Sequence, residues 1–484
     1  MFLRVRLTTD SAMSAQILLQ GQIVGSEDFL LAPPADKDNR AFEARSMWLV
    51  LLGEVIPRAL LAELQLPALM LGSSGGDRFV VILPDLARSE AASAFLARVS
   101  GLLGEITGGK VRLAWSATEN LGDWTIVRKR LQDNMREGDQ PPAAEPGFFD
   151  AFVPSGAGAD RIPRDLREVS EIGWSFEFPA LLAVEGGAFR WKIDVTRHAA
   201  RNGEAFATTK EMARRAQGQK LWGVLRGEID DFGFRMRRLQ SVEEHVHLST
   251  LYRQFLAGEI ELLCSQGEYF QRVTVLYSAG SGFAVYGAWD ALTGFARELE
   301  RVFARFAQEQ LTDFPGAEAK TITMALTIAE PGALLARTYE DCGRDLEIAR
   351  ATDKDCFFML GRVLEWKQLS DAAELKETIV HLNEEFRGGR HFLEQLRNIY
   401  RKVESPEAVT AALLGETGAD HERLVARALR FQRRFARVAT RREREFQKLR
   451  SHLMKEMTGR NLRAGLKLRP EGLIALEWAR LAED

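Results

Sequence analysis

Two octapeptides about two hundred residues apart, SGGDRFVV (74–81) and SAGSGFAV (278–285), match at Ser, Gly, Phe and Val in equivalent places. Each precedes a segment with apolar residues at three- and four-residue steps, SEAASAFLARVSGLLGEITGG and DALTGFARELERVFARFAQEQ. That spacing is one face of a helix. A strand-like run follows each, VRLAWSATE (111–119) and ITMALTIAE (322–330). Four identities in eight residues can arise by chance, but strand, tight turn, strand, helix and strand in one order, twice, predict a duplicated α+β unit.

Breakers divide the rest. DQPPAAEPG (139–147) and PSGAGAD (154–160) are too rich in Pro and Gly for regular structure. Beyond residue 366 strand signals fade. There Leu424, Ala428, Phe431, Phe435 and Val438, then Phe446, Leu449, Leu453 and Met457, form an apolar helical stripe. The expected units are a first α+β domain (1–140), a connecting domain (141–205), a second α+β domain (206–366) and a helical domain (367–484). The opening MFLRVRLTTD, with charge inside any signal core, reads as a first strand rather than an export signal. No apolar run approaches the ~18 residues that span a bilayer. Cys264, Cys342 and Cys356 are too few and too scattered for a disulfide framework or a Cys-rich zinc site. Free thiols in a reducing cytoplasm are expected.

Several stretches together resemble the large subunit of type III CRISPR effector complexes. KLWGVLRGEIDDFG (220–233), preceded by FATTKEMARRAQG (206–218), is similar to the first strand of that family's catalytic palm. The family's G-G-D-D hairpin falls on Ala279, Gly280, Ser281 and Gly282, and a later palm signature on DLEIARATDKDCFFMLGRVLEWKQL (345–369). RSMWLVLLGEVIPRALLAELQLPALMLGSSGGDRFVVILPD (45–85) resembles its other palm. The resemblance implies an α+β protein: two ferredoxin-like palms facing each other, a connecting domain and a C-terminal helical bundle. It also implies an RNA-guided complex at whose foot such a subunit senses target RNA. Many members carry a DNA-cutting HD nuclease and a palm that joins ATP into cyclic oligoadenylates.

Both chemistries are expected to be missing. The chain has seven His and no His-Asp dipeptide, and it begins almost at the first palm strand. Palm chemistry needs carboxylates on adjacent strands to hold two Mg²⁺. By the family's pattern these come from positions 228, 281 and 282, here Glu228, Ser281 and Gly282. Serine and glycine supply no negative charge. Asp230 and Asp231 remain, with Glu228, as either a solvated strand end or an altered metal site. In the first copy Gly75-Gly76-Asp77-Arg78-Phe79 resembles the G-G-D-E-F turn of diguanylate cyclases. Arg78 stands there at a metal-binding glutamate's place, and Asp10 is the one candidate for a second acid. His245 and His247, in EEHVHLS, sit in a helical context where residues two apart diverge.

Charge is unevenly spread. Net charge is -3, yet residues 421–460 hold thirteen Lys/Arg against four acids. Arg430, Arg433, Arg434, Arg437, Arg441 and Arg444 recur at helical steps, and Arg235, Arg237 and Arg238 follow the second palm's first strand. Arginine forks suit phosphate oxygens; a solvated helix face is the plainer alternative. The expectation is a non-catalytic scaffold that binds guide RNA, target RNA, and the backbone and small subunits of a type III effector, with no membrane partner and no cofactor. The alternatives are a nucleotidyl cyclase with an altered site, using Mg²⁺ and ATP, and a non-hydrolysing nucleotide sensor.

Overall fold

The computed structural model describes residues 16–33, 37–138, 161–314, 320–385, 393–394, 396–398, 441–461 and 465–483. The strand expected in MFLRVRLTTD lies outside them. The first described strand, β1 (Ile17–Val24), is followed by the short α1 (Ser26–Leu30), α2 (Asn39–Glu63), β2 (Leu71–Gly75), β3 (Arg78–Leu83), α3 (Leu86–Thr107), β4 (Arg112–Glu119) and α4 (Trp124–Gly138). Their sheet runs β2-β3-β1-β4, the β-α-β-β-α-β order of a ferredoxin-like unit. A small connecting sheet, β5 (Glu171–Trp174), β6 (Leu182–Ala183) and β7 (Phe189–Lys192), comes next. The two-residue strands β8 (Arg201–Asn202) and β9 (Ala205–Phe206) then lead into α5 (Thr209–Arg214).

The second unit repeats the first. Strand β10 (Trp222–Ile229) leads through α6 (Phe232–Arg238), α7 (Val242–Gln254), a π turn at Phe255–Glu259 and α8 (Ile260–Ser265) to β11 (Val273–Ala279) and β12 (Gly282–Ala288). Then come α9 (Trp289–Gln310), β13 (Ile322–Ala329), α10 (Leu335–Thr352), β14 (Cys356–Met359) and β15 (Arg362–Glu365). The sheet order is β11-β12-β10-β13-β14-β15, so its first four strands reproduce the first sheet. The match extends to register: Gly21 pairs with Phe79 and Gln22 with Arg78, as Gly227 pairs with Phe283 and Glu228 with Gly282. At both glycines the phenylalanine ring occupies the space a Cβ would need. The duplication read from eight residues holds through the whole unit.

Alternation along β10 buries both faces, because period two sends successive side chains to opposite sides. Leu225 and Ile229 join the core with α9; Trp222 and Val224 join the core built on α2. Helix α2 is apolar nearly all round, as a helix walled in on every side must be. Its Trp48 donates Nε1–H to the Ala180 carbonyl at 2.8 Å and its Ser46 hydroxyl donates to the Leu276 carbonyl at 2.9 Å. One helix thus ties the connecting segment and the second palm to the first. All three cysteines are buried and unpaired by disulfides.

Beyond the sheet lie α11 (Trp366–Glu385), α12 (Arg441–Glu456), a hairpin of β16 (Thr458–Asn461) and β17 (Gly465–Leu468), and α13 (Pro470–Ala482). The hairpin departs from the expected purely helical ending: TGRN and GLKL carry too few apolar residues to announce strands. Leu453 and Met457 of the apolar stripe are buried as expected, whereas its 424–438 half lies outside the described residues. Helix α13 packs on α11, and its Leu481 carbonyl accepts from Gln219 N just ahead of β10. Among the described residues no helix is long and apolar enough to cross a membrane.

Candidate functional site

The hairpin between β11 and β12 lies beside the end of β10, held by Ile229 N donating to Ser281 O at 2.8 Å. Gly280 makes the turn at φ 69°, a left-handed value glycine adopts without strain. Three acids gather at this strand end, each engaged by a different part of the chain. Glu228 accepts from the Ser281 hydroxyl at 3.4 Å and is ion-paired with Arg350 of α10. Asp231, the N-cap of α6, takes Lys354 Nζ at 2.7 Å on both carboxylate oxygens. That ammonium is held above its usual range chiefly by its hydrogen bond to Asp231.

Asp230 corrects one expectation. It is not a solvated end but 3% exposed. Its oxygens accept from the hydroxyls of Thr321 (2.8 Å) and Thr323 (2.8 Å) and from Asp355 N (3.1 Å). The reason is register: Asp230 N still donates to Thr321 O, so the backbone stays against β13 and turns this side chain inward. Its charge, after burial, is what pushes the Asp355 carboxyl up. Arg350 and Lys354 are the residues sequence reasoning passed over. They stand in the ARATDKD stretch noted only as a resemblance, and nothing local says that the end of α10 and the turn after it meet the end of β10.

In the first copy, register makes Gln22 the counterpart of Glu228. The amide donates to Asp77 Oδ2 at 2.9 Å, and Arg78 Nε stands 3.8 Å from the same oxygen. Asp10 lies outside the described residues. The strand that pairs with the hairpin is β1, and it presents the neutral Gln22 amide to Asp77. Among the described residues no group of three or more His, Cys, Asp or Glu is placed to hold a metal ion.

The two hairpins touch. A Cβ on Gly76 would come within 2.8 Å of Gly280 Cα. Beside this contact Glu54 of α2, 2% exposed, joins Arg58 (2.8 Å), Ser74 (3.0 Å) and Arg253 of α7 (3.1 Å). Two clefts flank the junction. One of about 420 Å³ holds Arg226, Tyr277, Tyr339 and Glu228; the other, about 360 Å³, holds Arg78, Arg128, Arg237 and Arg253. Gly76→Ala adds a methyl against backbone at φ 65°, so we expect it to cost about 1–3 kcal/mol in chemical denaturation. Alanine at the exposed Gly203, also left-handed at φ 63° but with open space around it, is the control that separates the contact from the backbone strain.

The basic candidates separate. Arg235 is 1% exposed and donates to the Tyr252 hydroxyl, so it cannot meet RNA; this corrects its assignment. Its position on α6 turns it toward α7, away from Arg237 and Arg238, which are exposed over the Phe234 ring at 5.6 and 4.5 Å. Arg128 joins them from α4, donating to the Met236 carbonyl at 2.8 Å. The VRKR run (127–130) was the signal for it. Arg430, Arg433, Arg434 and Arg437 lie outside the described residues; Arg441 and Arg444 fall on α12, with Arg444 exposed.

His245 and His247 stand on α7, helical as expected. His245 packs edge-on against Trp124, ring centroids 5.4 Å apart. Burial, with Arg128 adding repulsion, pushes its pKa down to about 4. The unfolded imidazole takes up its proton near 6.5, the folded one only near 4, so this contribution to stability is present above 6.5 and is lost as pH falls toward 4. Between pH 7 and 5 that amounts to about 2 kcal/mol. His245→Phe should flatten the pH dependence of the denaturation midpoint by this amount.

Residues 221–358 match the family model described as Cas10/Cmr2, second palm domain, and residues 15–134 match the Csm1 subunit domain B. A curated relative, the CRISPR system single-strand-specific deoxyribonuclease Cas10/Csm1 (subtype III-A) of Enterococcus italicus, is 25% identical over 203 residues. That alignment takes in 40% of this chain and only a quarter of the relative's length. Among solved structures, a Csm1-Csm4 cassette in complex with cA3 aligns at TM-score 0.70 and 15% identity, over 99% of this chain and 71% of the other. A Csm1-Csm4 cassette in complex with cA4 aligns at 0.65 and 16%, over 97% and 70%. At such identities the likeness is one of fold.

Proposed function

The chain is a Cas10/Csm1-type large subunit of type III CRISPR complexes, and we propose that it serves there as a non-catalytic scaffold, binding guide and target RNA and docking the backbone and small subunits. The observation that carries this is the pairing of the palm acids with the chain's own cations. Glu228 is taken by Arg350 and Asp231 by Lys354, where phosphoryl transfer would need divalent ions. Ser281 and Gly282 add no anionic oxygen. Cytoplasmic action fits the three reduced cysteines.

The test is incubation of the complex reconstituted with guide and target RNA, using labelled ATP and Mg²⁺ or Mn²⁺. We expect the RNA to be retained and no oligoadenylate to form. A product abolished by Glu228→Ala would replace the scaffold by a cyclase with an altered site.

A nucleotide sensor without turnover is the second reading. Its support is the 420 Å³ cleft, where Tyr277 and Tyr339 lie beside Arg226. Calorimetry with ATP in EDTA addresses it directly.

For RNA retention, two separate basic stretches are proposed: the exposed Arg237 and Arg238 of α6, and the C-terminal arginines, of which Arg444 is exposed and Arg433 and Arg437 lie outside the described residues. Reversing either pair to Glu should weaken retention and lower the log–log salt slope by roughly 0.7–0.9 per lost phosphate contact. An unchanged slope would remove that pair from the interface.

A further inference from the structure

Away from the palm cleft, α2, the segment around Pro163–Arg167 and the junction of β9 with α5 enclose a cavity of about 550 Å³. That is within the roughly 300–1,000 Å³ usual for small-molecule sites. Much of its wall is apolar: Ala44, Met47, Leu166, Phe206 and Ala207. Two opposite charges, Glu43 and Arg167, line its inner part, while Arg40, Arg164, Asp165 and Glu168 line its exposed rim. The Arg167 guanidinium is 6% exposed, and its Nη1 donates to the carbonyls of Val275 (2.6 Å) and His198 (3.2 Å). Its Nη2 is buried with no hydrogen-bond partner. Glu43 of α2 accepts from the Tyr286 hydroxyl at 3.1 Å.

Glu43 and Arg167 feel each other's charge but form no direct ion pair. Burial pushes the Glu43 carboxyl up, which weakens its claim on the guanidinium. At the rim, Glu168 is 3.8 Å from Arg201 and Arg164 is 3.5 Å from Asp38, so these charges largely offset one another. A buried N–H left without an acceptor is unfavourable, and proteins rarely leave one so.

We propose that this cavity binds a small amphiphilic monoanion, with a carboxylate head accepting from Arg167 and an apolar body against Met47, Leu166 and Phe206. A carboxylate matches the planar guanidinium fork. A phosphate dianion would bring a second negative charge up to Glu43. The carboxylate can belong to a free aliphatic acid or to the C-terminus of a peptide ending in an apolar residue. The site is separate from the palm acids, so its failure leaves the scaffold reading intact.

Calorimetric titration of the full chain with hexanoate, hexylammonium and hexanol tests it. Hexanoate should bind at least tenfold more tightly than the other two. Glu43→Gln keeps an acceptor for Tyr286 while removing the negative charge, and should tighten hexanoate several-fold. Arg167→Met should abolish binding. Because Arg167 also holds two carbonyls, Ala205→Trp is the second variant: it plugs the cavity from an exposed position and should abolish binding in a folded protein. A leucine-ended tripeptide as free acid and as amide separates the sources. Tighter binding of the acid peptide than of hexanoate identifies a chain terminus; the reverse identifies a free acid. No hexanoate binding at tens of millimolar, equal binding of hexanol, or binding indifferent to Ala205→Trp would overturn the proposal.

Discussion

Asp230→Ala should lower the unfolding free energy by about 2–4 kcal/mol, the cost of removing a buried acceptor that serves three donors. The carboxylate serves three donors at once: Thr321 and Thr323 from the start of β13, and the Asp355 amide at the start of β14. Removing it leaves the buried Thr323 hydroxyl without its acceptor and takes one from the half-buried Thr321 hydroxyl and the Asp355 N–H, and a buried unsatisfied donor costs about 1–3 kcal/mol. Asp230→Asn keeps one acceptor oxygen and should lose less, because only one of the three donors then faces an amide NH₂. The order Asp230, Asn, Ala in denaturant midpoint is the expected result. Equal stability of all three would mean that the three contacts do not stabilise the fold. The same experiment bears on function, since an acid fixed by three donors inside a sheet is not free to turn toward a metal or a phosphate.

That role was hidden in the residue string. Asp230 reads as the middle of an acidic trio, and alternation from Glu228 assigns both to one face. What turns it inward is the pairing of its own N–H with Thr321, a contact 91 residues along the chain. Local patterns did reveal the frame. The eight-residue match around the hairpins implied a shared register, and Gly21 under Phe79 repeats as Gly227 under Phe283 because both sheets need the same small residue there. The site was half legible. The loss of acids at 281 and 282 stands in the sequence as plain letters, whereas the cations that pair with Glu228 and Asp231 come from α10 and the turn just after it, 122 residues beyond Glu228 and 123 beyond Asp231. Arg235 failed for a related reason. Three arginines in four positions of a short helix cannot share one side, and the one aimed at α7 is consumed by Tyr252.

The palm cleft should regain a divalent ion only when charge is restored and the internal cation removed together. Ser281→Asp alone sets a second carboxylate beside Glu228, within reach of the 3.4 Å contact the serine makes now, while Arg350 still claims Glu228. The new charge is then shared with arginine, and Mn²⁺ gains little. Ser281→Asp with Arg350→Ala leaves two uncompensated carboxylates a few ångströms apart, whose mutual repulsion a divalent ion relieves. We expect Mn²⁺ affinity to rise roughly a hundredfold over the unsubstituted chain, about 2.7 kcal/mol, and Mn²⁺ to raise the thermal midpoint of the double variant selectively. Position 282 offers no equivalent route. A Cβ there would lie 2.7 Å from the Gly227 carbonyl oxygen, so Gly282→Asp has to displace the β10–β12 pairing before it can present an acid. The cleft has therefore lost room as well as charge, and two ions side by side are not recoverable by substitution at the turn alone. Electron paramagnetic resonance of Mn²⁺ reads the outcome. Tight binding to the unsubstituted chain, released by Glu228→Ala, would show that Arg350 yields to a metal and would restore phosphoryl transfer as a reading of this cleft.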